Sequence, residues 1–291
     1  MITITRKDPN YPRHLLALKD APTNIFVKSS AQFDELLSRP KVAVVGSRKV
    51  SSYGRAVTEQ FVADLVRNDV VIVSGLALGI DSIAHTVTVQ NGGQTIAVLP
   101  CGLNNVYPSS HRNLAEKIVD QEGALVSEYQ ADEKISFKGN FIARNRIIAG
   151  LADVLLVPEA AINSGSLHTA GFALDMGIDI FAVPGPINSQ TSEGCNNLIK
   201  AGAGLATSAQ DILDYFGISS KKQYSQKNLP LVDDKNQALV IKIITESTKP
   251  LTIEELQITT SLNITELNQA LSMLEIYGLV ASSGSSRWFR K

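Results

Sequence analysis

A doubly wound α/β domain, followed by a small helical unit closed by a hairpin, is the fold that this sequence predicts. Three observations carry that expectation. Val/Ile/Leu-rich runs of strand length recur between residues 42 and 183, helix-period segments separate them, and beyond residue 235 the pattern changes to helix-capping signals and two short extended runs.

Residues 1–40 read as an N-terminal extension packed on the main domain. Pro9, Pro12, Pro22 and Pro40 interrupt it, leaving room for a short helix near His14–Leu18 and a strand near Asn24–Val27. The strand candidates follow: Val42–Val45, Val70–Val73, Thr95–Leu99, Leu125–Glu128, Val154–Val157 and Ile180–Val183. Near-continuous apolar runs indicate strands covered on both faces, hence a mostly parallel sheet. Between them, Ala56, Phe61, Leu65 and Val66 mark one helical face, and Leu114, Ile118 and Val119 another. This alternation is the pattern of a Rossmann-like doubly wound domain over residues 41–217.

Residues 218–235 are polar and read as a linker. In residues 236–291, Thr252 with Glu255 and Asn263 with Glu266 fit capping boxes. Leu256, Leu262, Leu267, Leu271 and Leu274 supply a small core, and Leu279–Ala281 and Arg287–Phe289 flank Gly284 in a hairpin pattern. Three helices and a hairpin predict a small C-terminal winged-helix domain.

Composition narrows the class. The chain has 291 residues, is 44% hydrophobic, and holds no run near the roughly 18–20 apolar residues that span a bilayer. The first residues, MITITRKDPNYPRHL, lack the apolar stretch of a secretory signal, so a cytoplasmic protein is expected. Two cysteines, Cys101 and Cys195, give neither a disulfide framework nor a four-ligand zinc site. No metal or other cofactor is expected. The net charge of −1 argues mildly against a duplex binder, although local convergence of cations matters more.

The turns after the strands carry the chemistry. Gly46-Ser47-Arg48 follows the first strand and leads into a helix from about Ser52. Glycine admits a phosphate to the backbone, the helix start adds positive potential, and Arg48 adds a guanidinium fork. Gly75 and Gly79 shape the next turn, with Asp81 or Ser82 capping its helix. Ser164-Gly165-Ser166 opens a third helix as another anion cradle, Pro184-Gly185-Pro186 closes the next strand, and Gly194-Cys195-Asn196 precedes another helix. In an open parallel sheet these turns converge on one edge. Several cradles in a row suit a polyphosphate or nucleic-acid backbone better than one small molecule.

The segment Lys138-Gly139-Asn140-Phe141-Ile142-Ala143-Arg144-Asn145-Arg146 joins three cations to an aromatic ring. Cations meet phosphates, and a base stacking on Phe141 gains about 1–3 kcal/mol whatever its identity. Alternatively Phe141 is core, and Arg144 or Arg146, which point to different helix faces, pairs with Glu128 or Glu159.

Catalytic patterns are missing from the sequence. It has no G-x-x-x-x-G-K-[ST] loop and no G-x-G-x-x-G fingerprint. His85, four residues after Asp81, fits a structural hydrogen bond. His111 fits an exposed first helical turn, and His168 could touch a phosphate. Cys101 has no His/Asp partner near it in sequence.

GSR at 46–48, SGLALGID at 74–81, GLNNVYP at 102–108, FIARNRIIAGLAD at 141–153, SGSLHTA at 164–170 and FAVPGPI at 181–187 occur in an order that resembles the DNA-processing protein A (DprA/Smf) family. YPRHLLALKDAP at 11–22 resembles that family's lead-in. The resemblance covers nearly all of residues 10–217. It implies a non-catalytic, homodimeric protein that binds single-stranded DNA, protects it and helps load the recombinase RecA in natural transformation. It maps DNA contact onto Ser47 and Arg48, onto Lys138 and Phe141, and onto Arg144, Asn145 and Arg146, and it sets Ser164, Gly165 and Ser166 where the family has its second phosphate cradle. Gly46 of the same turn and Lys200 are expected as further DNA contacts from the reading of the residues themselves.

Three departures stand out. Ile142 replaces the usual proline, Asn104 stands where Asp is common, and the extra N-terminal domain of many relatives is not seen. The alternative is a nucleotide-derivative binder or phosphoribohydrolase on the same fold. The acid-bearing motif of those enzymes would fall near 164–172, where SGSLHTAGF carries no carboxylate. In the C-terminal unit, residues 250–286 contain Glu254, Glu255, Glu266 and Glu275 but no Lys or Arg. Strong duplex binding by the presumptive recognition helix, Ile264–Tyr277, is therefore not expected.

Overall fold

The computed structural model describes residues 1–18, 20–30, 33–137, 139–218, 234–247, 249–283 and 287–290. The chain divides into two compact units, Met1–Lys221 and Lys222–Lys291.

The first unit is built on a nine-stranded sheet. In chain order its strands are β1 (Ile2–Thr5), β2 (Asn24–Ser29), β3 (Lys41–Val44), β4 (Val71–Ser74), β5 (Thr95–Val98), β6 (Ala124–Ser127), β7 (Val154–Val157), β8 (Asp179–Ala182) and β9 (Gly204–Leu205). In space they run β1-β2-β6-β5-β4-β3-β7-β8-β9. From β6 to β9 all neighbours are parallel, while β2 lies antiparallel to β6 and β1 antiparallel to β2. The connecting helices are α1 (Phe33–Ser38), α2 (Ser52–Arg67), α3 (Ile80–Gln90), α4 (Arg112–Asp120), α5 (Gly139–Gly150), α6 (Ser166–Asp175), α7 (Glu193–Lys200) and α8 (Ala209–Tyr215).

Helices cover both faces, which explains the unbroken apolar strands. On β3, Val42 and Val44 join Phe61 and Leu65 of α2, Ile80 of α3 and Ile212 of α8. Ala43, on the opposite face, joins Ile147 and Ile148 of α5 and Ala170 and Ala173 of α6. Each expected strand of the parallel sheet lies within one residue of its observed position. The short β1 is an addition: Ile4 is buried in the core, whereas Ile2 is exposed. The helix expected after Gly194-Cys195-Asn196 instead begins at Glu193. Gly194 permits this, because its N–H donates to Ala160 O at 2.8 Å, and a Cβ there would lie 2.6 Å from the same oxygen.

The second unit contains α9 (Lys235–Glu246), β10 (Leu251–Thr252), α10 (Ile253–Thr260), α11 (Ile264–Ile276), β11 (Val280–Ser283) and β12 (Arg287–Arg290). Both expected capping boxes form, Thr252 with Glu255 and Asn263 with Glu266. Leu256, Leu267, Leu271 and Leu274 pack with Val240, Ile241 and Ile244 of α9. The hairpin gains a third strand, since β10 pairs with β12 through Leu251 and Trp288. Residues 219–233 of the expected linker and Gly284 lie outside the described residues.

Candidate nucleic-acid interface

From β3 the chain winds through β4, β5 and β6 on one side of the sheet, then crosses to β7 on the other. Ligands in open α/β sheets bind beyond the carboxyl ends of the strands flanking such a reversal. Here that position is a cleft of about 740 Å³, lined by the turn after β3, the start of α5, the loop before α6 and the loop before α7.

The turn after β3 is held from two sides. Ser47 N–H donates to Glu159 O at 2.8 Å, and Ser47 O accepts from Ile80 N–H at 3.1 Å. Gly79 has φ +88°, and a Cβ on it would lie 2.3 Å from Ser47 O and 2.7 Å from the Arg48 Cα. Glycine is therefore required there on both counts. The buried Glu159 carboxylate accepts from Ser51 N–H at 2.9 Å and from Ser51 Oγ at 2.5 Å, while Ser51 Oγ caps α2 by accepting from Gly54 N–H. One residue after β7 thus fixes both the Ser47 turn and the start of α2.

Arg48 is exposed and its guanidinium lies 5.4 Å from the centroid of Phe141. This distance suits a cation–π contact. Phe141 is half-buried on the first turn of α5, and Tyr107 meets it edge-on at 5.3 Å between centroids. Across the cleft, Ser164 Oγ and Ser166 Oγ lie 2.7 Å apart at the start of α6. A Cβ on Gly165 would meet no atom within 4 Å, so this turn leaves its outer side open to close approach. Asn145 bridges the walls, donating through Nδ2 to Gly165 O at 3.4 Å.

Arg144 forms the floor. It is 3% exposed, and its Nη1 donates to Gly75 O and to Val98 O. A Cβ on Gly75 would collide with that guanidinium at 2.5 Å, so the glycine makes room for it. Burial lowers the Arg144 pKa to about 10, against the attraction of Asp81, and the group stays charged. Asp81 is also buried; burial raises its pKa, opposed by Arg144 and by the N–H groups of Ala77 and Gly75.

Arg146 lies elsewhere. Its guanidinium is buried in an ion-pair cluster with Glu128 at 2.5 Å and Asp20 at 3.2 Å, away from the cleft-lining residues. Of the two readings of Arg146, the pairing with Glu128 is the one that forms, and the side chain does not line the cleft. Lys200 closes the far end of α7 and does not line the cleft. Lys138 lies outside the described residues. Gly46, Ser47, Arg48, Phe141, Arg144, Asn145, Ser164, Gly165 and Ser166 are brought together.

A profile of the DNA recombination-mediator protein A family matches residues 2–217. The chain belongs to that family. It is 46% identical over 209 residues to DNA processing protein DprA of Streptococcus pneumoniae, covering 72% of each chain. The X-ray structure of that protein superposes with a TM-score of 0.67, covering 73% of each chain at 44% identity. DNA processing protein A of Helicobacter pylori, whose structure addresses its single-stranded DNA binding mode, superposes with a TM-score of 0.64 at 32% identity, covering 74% of this chain and 95% of that one.

Within this family frame, the cleft also holds residues that the sequence pattern did not single out: Lys49, Asn163, Gln190 and Thr191. Lys49 directly follows the Gly-Ser-Arg turn and could have been read with it. Gln190 and Thr191 sit in an irregular loop with no periodic signal. The histidines take the quieter roles. His85 is buried against Thr95 Oγ1 at 2.8 Å, and Nδ1 of the half-buried His111 lies 2.8 Å from Leu76 O. His168 alone of the three lines the cleft. Burial pushes the Cys101 thiol up to about 11 and the Cys195 thiol up to about 12, so neither is a ready thiolate. No helix among the described residues is long and apolar enough to cross a membrane, and none of their His, Cys, Asp and Glu side chains group as a metal site.

Proposed function

We propose that this chain binds single-stranded DNA in the cleft at the β3–β7 reversal, and that it acts as a non-catalytic mediator that protects the strand and hands it to RecA. The observation that supports this reading most is that the Gly46-Ser47-Arg48 turn after β3 and the Ser164-Gly165-Ser166 turn at the start of α6 line one cleft together with the Phe141 ring. Backbone turns at helix starts suit phosphates, and an aromatic face suits a base of any identity. Arg48 sits on the Phe141 ring. A base stacking on that face displaces the guanidinium, which can then follow the adjoining phosphate. Arg144 supplies a fixed positive charge from below, and Lys138, the residue before Gly139 in the sequence, is a further phosphate contact in this reading. Membership of the family and the binding reported for the Helicobacter relative favour this reading over a nucleotide hydrolase.

As in the family, the working form is a cytoplasmic homodimer, in which two such clefts raise avidity through effective concentration. The second unit is a winged helix. Its α11 presents Thr265, Asn268, Gln269 and Ser272 with acidic neighbours, which suits a protein contact better than a duplex.

The test is titration of the purified chain with a labelled oligothymidylate, a hairpin duplex and free nucleotides. Selective binding of the single strand is expected. Preference for mononucleotides would transfer the site to the nucleotide-binding reading.

A further inference from the structure

Phe141 is the shared wall of two concavities. One is the cleft at the β3–β7 reversal. On its other side lies a second pocket of about 310 Å³, bounded by Cys101, Val106, Tyr107, Lys134 and Ile135. We infer that this second pocket is a nucleobase subsite, into which a bound strand continues after stacking on Phe141. The inference rests on the single-strand reading of the first cleft.

Four observations carry it. The pocket adjoins the first cleft, with Phe141 lining both. Its rim ring, Tyr107, is 48% exposed and stands edge-on to Phe141 at 5.3 Å, so two stacking surfaces lie side by side. Val106 and Ile135 give it aliphatic walls, the Asn105 amide beside them is committed to Glu133 O at 3.4 Å, and the Cys101 thiol, held protonated by burial, donates to Asn105 O at 2.6 Å. Finally, Lys134 is exposed at the rim, where the phosphate next to an inserted base would pass. The acids nearby are committed to shaping the loop: Asp132 Oδ1 accepts from Asn104 Nδ2 at 2.7 Å, and Glu133 Oε2 accepts from Gln130 N–H at 3.2 Å. An apolar slot with one aromatic side and one cation at its mouth fits a flat heterocycle on a phosphodiester chain. No base edge is read there, so the subsite tolerates any sequence.

The experiment measures affinity for oligothymidylates from about four to about twelve nucleotides, the range of site sizes for such folds. Val106→Trp fills the pocket while leaving Arg48 and Phe141 themselves unaltered. Wild type gains affinity as the oligonucleotide grows past the first cleft. Val106→Trp keeps wild-type affinity for the shortest binding oligonucleotide and loses about tenfold on the longer ones, the value of one stacked base. Equal affinity of Val106→Trp and wild type at every length overturns the subsite and leaves the first cleft intact. Failure of wild type to bind any length overturns the reading beneath it. Should Val106→Trp not fold, 5-iodouracil placed at successive positions of one oligonucleotide decides the matter in the wild-type chain. Cross-links to Tyr107 and Phe141 from different positions support the subsite, and cross-links to Phe141 without any to Tyr107 refute it.

Discussion

Gly79 lies so close to Ser47 that a single added methyl group would reach to 2.3 Å of the Ser47 carbonyl oxygen. The contact couples the turn after β4 to the cleft-lining turn after β3. Gly79→Ala therefore combines backbone strain at φ +88° with a clash against main chain that cannot rotate away. The expected loss is about 2 kcal/mol of stability, or roughly 4–8 °C in Tm, together with weakened single-strand binding as the Ser47 turn shifts. Thermal melts and oligonucleotide titration on the same preparation check both parts.

Phe141 and Arg48 touch one another but contribute different physics. Phe141→Ala removes a stacking face and is expected to weaken binding by about 5- to 150-fold, with the salt dependence unchanged. Arg48→Ala removes a cation and is expected both to weaken binding and to flatten the log-affinity against log-salt slope by about 0.7. Titrations at several salt concentrations separate the two; an unchanged slope in Arg48→Ala would contradict a phosphate contact.

Arg146 is expected to matter for folding. Arg146→Met leaves the largely buried Glu128 without its cation, a situation that costs up to about 3 kcal/mol, the lower end of the range for a fully buried pair. The double variant Arg146→Met/Glu128→Gln removes the uncompensated charge and is expected to recover most of that loss. Denaturant unfolding measures it. The salt slope of DNA binding by the double variant should match wild type.

His85 introduces a pH dependence. The Thr95 hydroxyl donates to Ile72 O at 2.7 Å, so it accepts from the His85 ring, which places the proton on Nδ1. Nε2 is buried with no partner among the described residues. Burial, reinforced by Arg144, lowers the His85 pKa from 6.5 to about 3. A folded-state pKa below the unfolded one means that stability is fully present above pH 6.5 and is lost as pH falls from there toward 3. The loss approaches about 1.4 kcal/mol per pH unit within that window. His85→Asn keeps a donor for Thr95 but does not titrate, so its stability should fall less steeply between pH 6.5 and 4. Parallel slopes would show that other groups set the profile.

These outcomes bear on what the sequence could disclose. The parallel strands were legible because helices bury both of their faces, and Val42–Val45 carries that environment in its own composition. The capping boxes at Thr252 and Asn263 were legible because a cap is a local contract between residues three apart. β1 and β10 were not: each is defined by a distant partner, Ile25 for Ile4 and Trp288 for Leu251. In the site, Ser47 and Ser164 were readable as turn residues at strand and helix ends. The paired arginines 144 and 146 were not separable by sequence, because two positions along a helix are about 200° apart and the partners of each are non-local. One meets the carbonyls of Gly75 and Val98, the other Glu128 and Asp20.

The pairing of Val42 with Val154 has a consequence for synthesis. A ribosome releases β3, β4, β5 and β6 long before β7 exists, so β3 waits as an open edge while most of the domain emerges. The second cradle, at Ser164–Ser166, follows later still. The cleft is incomplete until that stretch has been added, and a fragment truncated before it would carry one wall of the cleft and an unpaired edge prone to aggregation.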